Sequence, residues 1–433
     1  MTGGFLDDET PPAVAAVNLR LVLEAHQRWI ERLSDPDLKR GFLAHASTTI
    51  PFYRDLFGGR ACVELARFPI IERSVQNTRW RELQSTAFED PRADQLALYT
   101  NGTLGRVLRV ALDLPAVFDV TQAAFLRFAG VVPEIFEAAI TNEPTAFVIS
   151  DAPNDQRFSV VMPALSATIL RMLVLGRGEA SDEALVRYLR QARVAVIHGK
   201  PSVLRKMIEL DQALGGGRIR PTAIVTSGEN LYPDDRARLE AWLGCRLLAA
   251  YVASETGMIA LECEERAGLH VLGDQLTIEV EGSDGVARPI GEGALLATNE
   301  MNWRHAFIRY RLGDRVTVTD EPCRCGHDGQ TIVDLPGRDR VTYRTGRGEI
   351  AAAQIARALE AAGPVVKQYQ IAPGAEDGIV VSWIPAVPAG SDADTTAAQA
   401  IAAGLRDHAP GLAFELRRVE AITPPGGKLR RFL

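Results

Sequence analysis

The sequence predicts an α/β fold: a large N-terminal domain of layered sheets and helices, followed by a small, mobile α+β C-terminal domain. Three observations predict it. From about residue 145, short β-branched runs alternate with helical stretches. Polar residues cluster just past two of those runs, at Thr226-Ser227-Gly228-Glu229 and Tyr251-Val252-Ala253-Ser254-Glu255. After Pro336-Gly337-Arg338 the pattern changes to a short mixed region that ends on Gly426-Gly427-Lys428.

Pro12 to Leu33 carries apolar residues at helical spacing (Val14, Val17, Leu21, Leu23, Ile30) and stops at Ser34-Asp35-Pro36. Ala146–Ser150, Val194–Ile197, Ala223–Val225 and Leu247–Tyr251 read as strands. Glu183–Gln191, Ser202–Leu214 and Asp234–Leu243 read as the helices between them. Such alternation implies largely parallel layers, in which ligands sit beyond the carboxyl ends of the strands. The domains are expected at 1–336 and 337–433. In the second, Ala351–Ala361 reads as a helix and Lys367–Ile371 and Gly378–Trp383 as strands. Another helix and a strand at Ala413–Val419 follow. The glycines beside Lys428 suggest a mobile terminal arm.

A chain of 433 residues exceeds one ordinary core, in keeping with two domains. The formal net charge is −7 and there is no long basic block, so nucleic acid is not an expected partner. No apolar run approaches the roughly 18 residues of a spanning helix, so no membrane partner is expected either. The acidic start, MTGGFLDDETPP, lacks an export signal. An odd count of cysteines, 5, argues for a reducing compartment, and the cytoplasm is the expectation.

Four segments could carry chemistry. In Tyr99-Thr100-Asn101-Gly102-Thr103-Leu104-Gly105, small and hydroxylated residues around glycines would let backbone N–H groups close on phosphate oxygens. A Gly-Thr turn alone is more often merely a turn. In Tyr251 to Gly257, Glu255 could hold Mg²⁺, which prefers one or two carboxylates plus phosphate oxygens, or it could cap a helix. In Ile308-Arg309-Tyr310-Arg311-Leu312-Gly313-Asp314, Asp314 could accept two ribose hydroxyls or serve a turn. Lys428 could bring positive charge to a developing phosphate or carboxylate charge.

Taken in order, these segments resemble the adenylate-forming superfamily of acyl-CoA synthetases, luciferases and peptide-synthetase adenylation domains. More narrowly, the chain is similar to the phenylacetate-CoA ligase family. The likeness runs through Ile50-Pro51-Phe52-Tyr53-Arg54, Gly199-Lys200-Pro201-Ser202-Val203-Leu204, Ser227-Gly228-Glu229 and Tyr251 to Glu255. It continues through Glu262-Cys263 with Gly268-Leu269-His270 and Asp274, then Arg309 to Asp314, Gly337-Arg338 and Pro425 to Arg431.

The resemblance implies ATP-dependent activation of a carboxylic acid, aromatic or aryl-acetic, as its acyl-adenylate with pyrophosphate release. Transfer to coenzyme A would follow. Thr100, Asn101, Gly102 and Thr103 would lie over the ATP phosphates. Ser227, Gly228 and Glu229 would border the adenine, and Tyr251 would stack on it. Ser254 and Glu255 would face phosphate and Mg²⁺, Asp314 would bind the ribose, and Arg338 would lie nearby at the hinge. Lys428 would bridge the substrate carboxylate and the α-phosphate. Two anions must meet in such a reaction, so a lysine and Mg²⁺ would offset their repulsion.

The departures define the alternatives. Asn101 and Leu104 replace hydroxyl residues, and Val107 and Leu108 stand where Pro and Lys are usual. Arg106 and Arg109 are the cations at hand. The hinge reads Gly337-Arg338-Asp339-Arg340, one residue short, and Arg344-Thr345-Gly346 is an imperfect version of the segment that meets coenzyme A. A carrier-protein thiol or an amine is therefore the rival acceptor, and an inactive nucleotide-binding regulator the rival class. A homodimer stays open.

Cysteine spacing adds a metal site. Cys263 and His270 flank the apparent hairpin LECEERAGLHVLGD, and Cys323 and Cys325 form a C-x-C knuckle before the hinge. Three thiolates and an imidazole complete a closed, structural zinc set. His327 is the reserve fourth ligand, and Cys62 and Cys245 are expected to be inert. The alternative is a core cysteine beside an incidental C-x-C turn.

Overall fold

The computed structural model describes residues 37–87, 95–100, 108–113, 131, 145–150, 159–162, 168–175, 179–191, 194, 196–273, 276–337, 342–345, 348–351, 355, 358–359, 366–375, 378–385 and 391–422. The chain divides into two compact units, Met1–Leu335 and Pro336–Leu433. The helix expected over Pro12 to Leu33 lies outside the described residues.

The first unit opens with helices α1 (Leu38–Thr49) and α2 (Pro51–Phe57). Ile50 is extended between them, Pro51 starts α2 where its missing N–H is harmless, and Gly58 ends it at φ 59°. Phe42, Leu43, Ile50 and Tyr53 are fully buried. The short helix α3 (Arg73–Thr78) precedes a hairpin of β1 (Gln95–Thr100) and β2 (Leu108–Asp113), which pairs Ala97 with Ala111.

The strand-helix alternation then runs β3 (Thr145–Ser150), β4 (Ser159–Met162), β5 (Thr168–Leu175), α4 (Glu179–Gln191), β6 (Val196–Gly199), α5 (Pro201–Leu214), β7 (Ala223–Thr226), α6 (Pro233–Leu243) and β8 (Arg246–Ala253). Both α5 and α6 begin on a proline, one residue before the position the sequence pattern suggests. In β6, β7 and β8 successive apolar residues turn to opposite faces. Ile197, Ile224 and Leu247 pack under Val186, Leu204, Met207 and Leu239 of the helices. Val196, Val225 and Leu248 face the other core. Burial on both faces explains why these strands read as continuous apolar runs.

Beyond β8 the chain departs from the parallel expectation. β9 (Gly257–Glu262), β10 (Leu269–Val271), β11 (Leu276–Glu281), β12 (Ala287–Arg288), β13 (Gly291–Asn299), β14 (Tyr310–Thr319) and β15 (Thr331–Gly337) follow. Among the described residues a single sheet runs β12-β11-β13-β14-β15-β10-β9-β8-β7-β6-β3-β5-β4. β5, β3, β6, β7 and β8 are mutually parallel, whereas β8 meets β9, and β9 meets β10, antiparallel. The turn Ser254–Thr256 is too short for a crossover helix, so the chain must reverse. The layers are thus parallel from β5 to β8 only, with β4 antiparallel at the edge.

The second unit holds a hairpin of β16 (Thr342–Thr345) and β17 (Gly348–Ala351). It continues with β18 (Val366–Pro373), β19 (Ile379–Pro385), α7 (Ser391–His408) and β20 (Phe414–Arg418). β18 and β19 are antiparallel, while β19 and β20 are parallel across the α7 connection. Ile371, Val381, Trp383, Ile401 and Leu405 fill its core. Ala351 closes β17 opposite Thr342 rather than opening a helix, and Ile355, Ala358 and Leu359 are helical. No helix among the described residues is long and apolar enough to cross a membrane.

Candidate functional site

The carboxyl ends of β6 and β7 lie side by side, with Gly199 opposite Thr226, and Thr226 pairs with Ala249 of β8, which runs on to Ala253. The polar segments that follow therefore leave the sheet along one edge. Nε2 of His198 lies 2.8 Å from Oγ of Ser227. Burial pushes the His198 imidazole down to about 4, so the ring is neutral. Gly228 sits at φ 80°, a left-handed conformation that glycine adopts at least cost, and an added Cβ would lie 3.7 Å from Cγ of Lys200.

Glu229 turns back onto α5. Its carboxylate accepts the Ser202 N–H at 3.1 Å and the Ser202 hydroxyl at 2.9 Å. A carboxylate in the first turn of a helix satisfies an orphan donor and complements the helix dipole. In this structure Glu229 is a cap for α5 as well as part of the strand-end turn.

Tyr251, in β8, donates its hydroxyl to Oδ2 of Asp314 at 2.6 Å, although the two are 63 residues apart. Asp314 reaches this position through a bulge. Ala294 pairs with Arg315 and Leu296 with Arg311, so Leu312, Gly313 and Asp314 stand opposite Leu295 alone. Gly313 takes φ 89° within it. A bulge re-aims the side chains of its strand, and here it aims the Asp314 carboxylate at Tyr251.

Ser254, Glu255 and Thr256 make the turn between β8 and β9. Glu255 is only 8% exposed. Its backbone carbonyl accepts from Nδ2 of Asn299 at 3.2 Å, while Oδ1 of Asn299 accepts from the Met301 N–H at 3.0 Å. The end of β13 thus holds the turn that carries Glu255. Ser227, Gly228, Glu229, Tyr251, Ser254, Glu255 and Asp314 all fall in the first unit. Thr100 ends β1, opposite Leu108. Asn101, Gly102, Thr103, Arg106, Asp274, Arg338 and Lys428 lie outside the described residues, and Arg109 is placed only as the partner of Tyr99.

The four metal-ligand candidates converge. One ligand atom each from Cys263, His270, Cys323 and Cys325 lies within 4.8 Å of all the others. The Cys263 and Cys323 sulfurs are 3.8 Å apart, and Sγ of Cys325 is 3.3 Å from Nε2 of His270. Nδ1 of His270 lies 3.0 Å from Oγ1 of Thr331, which leaves Nε2 turned to the sulfurs. Burial, and then the charge of His327, pushes His270 down to about 4, the neutral form a metal requires. His327 stacks on His270 at 4.2 Å, with its own Nε2 3.2 Å from the Gln330 carbonyl.

Local backbone explains the convergence. Cys263 follows β9 and His270 lies in β10, so the hairpin brings both to one end. The Gly326 N–H donates to the Cys323 carbonyl, and the Cys323 N–H to the His327 carbonyl, closing the C-x-C knuckle. Gly268 lets β10 approach β15, since a Cβ there would lie 2.7 Å from the Ile332 carbonyl oxygen. Away from this cluster, Cys62 is buried, and burial pushes the Cys245 thiol up to about 12, which makes it a poor nucleophile.

Sequence reasoning missed a buried polar network at Gln76, Asn302 and His305. His305 Nδ1 accepts from the Ala111 N–H at 3.1 Å, and Asn302 Nδ2 donates to the Ala111 carbonyl at 3.0 Å. The segment Asn302-Trp303-Arg304-His305 carries no spacing in the sequence that singles it out.

Comparison with solved structures shows that this chain has the fold of CoA ligases caught with acyl-adenylates. 2-Hydroxyisobutyryl-CoA ligase in the postadenylation state, bound to R3-HIB-AMP, superposes with a TM-score of 0.70 over 99% of this chain and 94% of that one, at 16% identity. The anthranilate CoA ligase AuaEII with anthranoyl-AMP gives a TM-score of 0.53 over 81% of this chain and 69% of that one, at 12% identity. ATP-bound MatB from Rhodopseudomonas palustris gives 0.50 over 80% and 68%, at 15% identity. No protein-family model matches the chain, and no curated protein matches it. At such identities the likeness establishes the fold.

Proposed function

We propose that this chain uses ATP to activate a carboxylic acid as its acyl-adenylate, releasing pyrophosphate, and then passes the acyl group to coenzyme A. The observation that carries the reading is the 2.6 Å contact between Tyr251 and Asp314. It joins two segments that the family resemblance assigns separately to adenine and to ribose. An adenosine spans just such a pair, a flat aromatic face beside an acceptor for hydroxyl donors.

In this reading Tyr251 stacks on the adenine while Ser227, Gly228 and Glu229 border it. Asp314 accepts the ribose hydroxyls, and Thr100, Asn101, Gly102 and Thr103 lie over the phosphates. Lys428 bridges carboxylate and α-phosphate as the two anions meet, with Arg338 at the hinge between the lysine-bearing domain, 337–433, and the rest. Ser254 and Glu255 face the phosphates. Glu255 supplies the hard, nearly buried oxygen donor that Mg²⁺ prefers, and the ion would neutralise phosphate charge.

Cys263, His270, Cys323 and Cys325 fit a structural zinc. Tetrahedral Zn–S arms of about 2.3 Å put two sulfurs ~3.8 Å apart, which matches the 3.8 Å between Cys263 and Cys323. Four protein ligands leave no open position, so the metal would tie the β9–β10 hairpin to the loop before β15 rather than take part in chemistry.

The acid is proposed to be aromatic or aryl-acetic; the anthranoyl-AMP held by AuaEII supports an aryl acid in this fold. The 2-hydroxyisobutyryl adenylate of the other ligase makes a short branched hydroxy acid the competing class. ATP–pyrophosphate exchange with a panel spanning both classes tests the first step. Mass spectrometry of products with coenzyme A tests the second. Exchange with no acid in the panel overturns the reading, and adenylate without thioester moves the acceptor to a carrier thiol or an amine.

A further inference from the structure

The hairpin of β1 and β2 is a two-stranded sheet that joins no larger sheet among the described residues. Such a hairpin is marginal by itself in water. One residue on its edge is held from outside at both backbone groups. Ala111 is buried and pairs with Ala97 across the hairpin. Its N–H donates to Nδ1 of His305 at 3.1 Å, and its carbonyl accepts from Nδ2 of Asn302 at 3.0 Å. Two side chains therefore satisfy the groups that a third strand would otherwise bond.

The two are tied to each other, since Oδ1 of Asn302 accepts the His305 N–H at 3.2 Å. Because Nδ1 of His305 is an acceptor, the proton of the neutral ring resides on Nε2. The Gln76 amide nitrogen, from α3, is set 2.8 Å from that nitrogen; two donors cannot bond each other, so the bond requires the amide turned over, with its oxygen accepting. Burial pushes His305 down to about 3, which keeps the ring neutral and this donor-acceptor pattern intact. The same segment is fastened at its backbone, where His305 bridges Gln84 and the Ser85 N–H donates to the Arg304 carbonyl at 2.7 Å. It leads through Phe307 and Ile308, both buried, into β14 and Asp314.

We propose that His305, with Asn302 and Gln76, is a positioning joint that holds the β1–β2 hairpin in register with the strand bearing Asp314. This inference rests on the proposed function, in which residues at the end of this hairpin lie over the ATP phosphates while Asp314 holds the ribose. One rigid connection then sets the distance between the two ends of the nucleotide. An error of about 1 Å in such a distance costs roughly a hundredfold in rate. The proposal assigns this joint to the nucleotide alone, so the KM for the acid serves as the internal control.

The test compares His305→Leu, which removes acceptor and donor together, with His305→Gln, whose amide restores one of each. Both are measured by acid-dependent ATP–pyrophosphate exchange and by hydrogen exchange across residues 95–113. In His305→Leu the KM for ATP should rise about tenfold or more, with the KM for the acid within about twofold. Amides of 95–113 should exchange faster while the β6–β8 strands keep their protection. His305→Gln should recover most of both. Unchanged ATP kinetics in a folded His305→Leu enzyme overturn the proposal, as does an equal loss in all constants that merely follows the folded fraction. Should His305→Leu fail to fold, Asn302→Ala removes the bonds to Ala111 and to the His305 N–H and Gln76→Leu removes the contact to the ring, and an unshifted KM for ATP in both overturns it. A wild-type chain with no exchange activity defeats the functional reading instead. Hydrogen exchange still judges the joint in that case, and unchanged protection at 95–113 in His305→Leu overturns it.

Discussion

The Tyr251 hydroxyl donates to the Asp314 carboxylate at 2.6 Å, which links β8 to the bulge of β14 across the sheet. Hydrogen bonds to a charged group contribute about 1.5–3 kcal/mol. In the proposed function the same carboxylate serves the ribose, so Asp314→Ala should weaken ATP binding about tenfold or more, each ~1.4 kcal/mol being tenfold. Tyr251→Phe should cost less, because the ring face remains. Calorimetric titration with ATP checks both, and binding within about twofold of wild type for Asp314→Ala removes Asp314 from the nucleotide site.

Lys428→Ala should abolish acid-dependent pyrophosphate exchange while leaving ATP affinity nearly intact. A cation acting on the transition state contributes little to ground-state binding. Exchange within about threefold of wild type, a margin of only ~0.6 kcal/mol, would exclude the role.

Glu255→Gln should reduce exchange and raise the Mg²⁺ concentration needed for half-maximal rate, since one carboxylate donor is lost. The Asn299 bond to the Glu255 backbone survives the change, so the turn itself should persist. Unaltered rate and Mg²⁺ dependence would leave Glu255 as a structural residue.

Protein purified without chelator should carry close to one zinc per chain by elemental analysis. Cys325→Ser should lose the metal and lower the melting temperature, because metal binding is coupled to folding. His270→Ala should do the same, whereas His327→Ala should retain zinc, as its ring stacks on His270 and turns its Nε2 to Gln330. Zinc lost only in His327→Ala would exchange the two histidines.

Buried neutral histidines set an acid limit on stability. His198 and His305 are pushed down to about 4 and about 3, whereas the unfolded chain titrates near the ordinary value of 6.5. Between those values the unfolded state binds more protons, so stability falls as pH drops below about 6.5, and each ring's share stops growing at its folded value. Denaturant melts from pH 7 to 4 should show this slope. It should shrink in His198→Gln, and an unchanged slope there would mean that His198 titrates normally.

The parallel strands and their helices were legible because both faces of β6, β7 and β8 are buried, which writes apolar runs between amphipathic helices. The convergence of Cys263, His270, Cys323 and Cys325 was legible too, since the expectation rests on residue types that few other roles require. Beyond β8 only the hairpin of β9 and β10 was legible; the reversal at β8 itself was not, because it depends on a turn at Ser254–Thr256 that composition alone does not distinguish from a loop. His305 was invisible for a different reason. Its partners, Gln76 and Ala111, are remote in sequence, and nothing in a histidine's neighbours announces that it will cap a distant strand.

By itself the sequence determined which segments lie at strand ends and which cysteines could share a metal. Those properties follow from local periodicity and side-chain chemistry, both of which are written residue by residue. Only the tertiary structure decided that Tyr251 meets Asp314, that Glu229 caps α5, and that His270 rather than His327 faces the sulfurs. Each of these depends on a bulge, a strand register or a stacking distance. Such features arise when remote segments pack together, and a shift of one residue in register would turn every side chain of a strand to its other face.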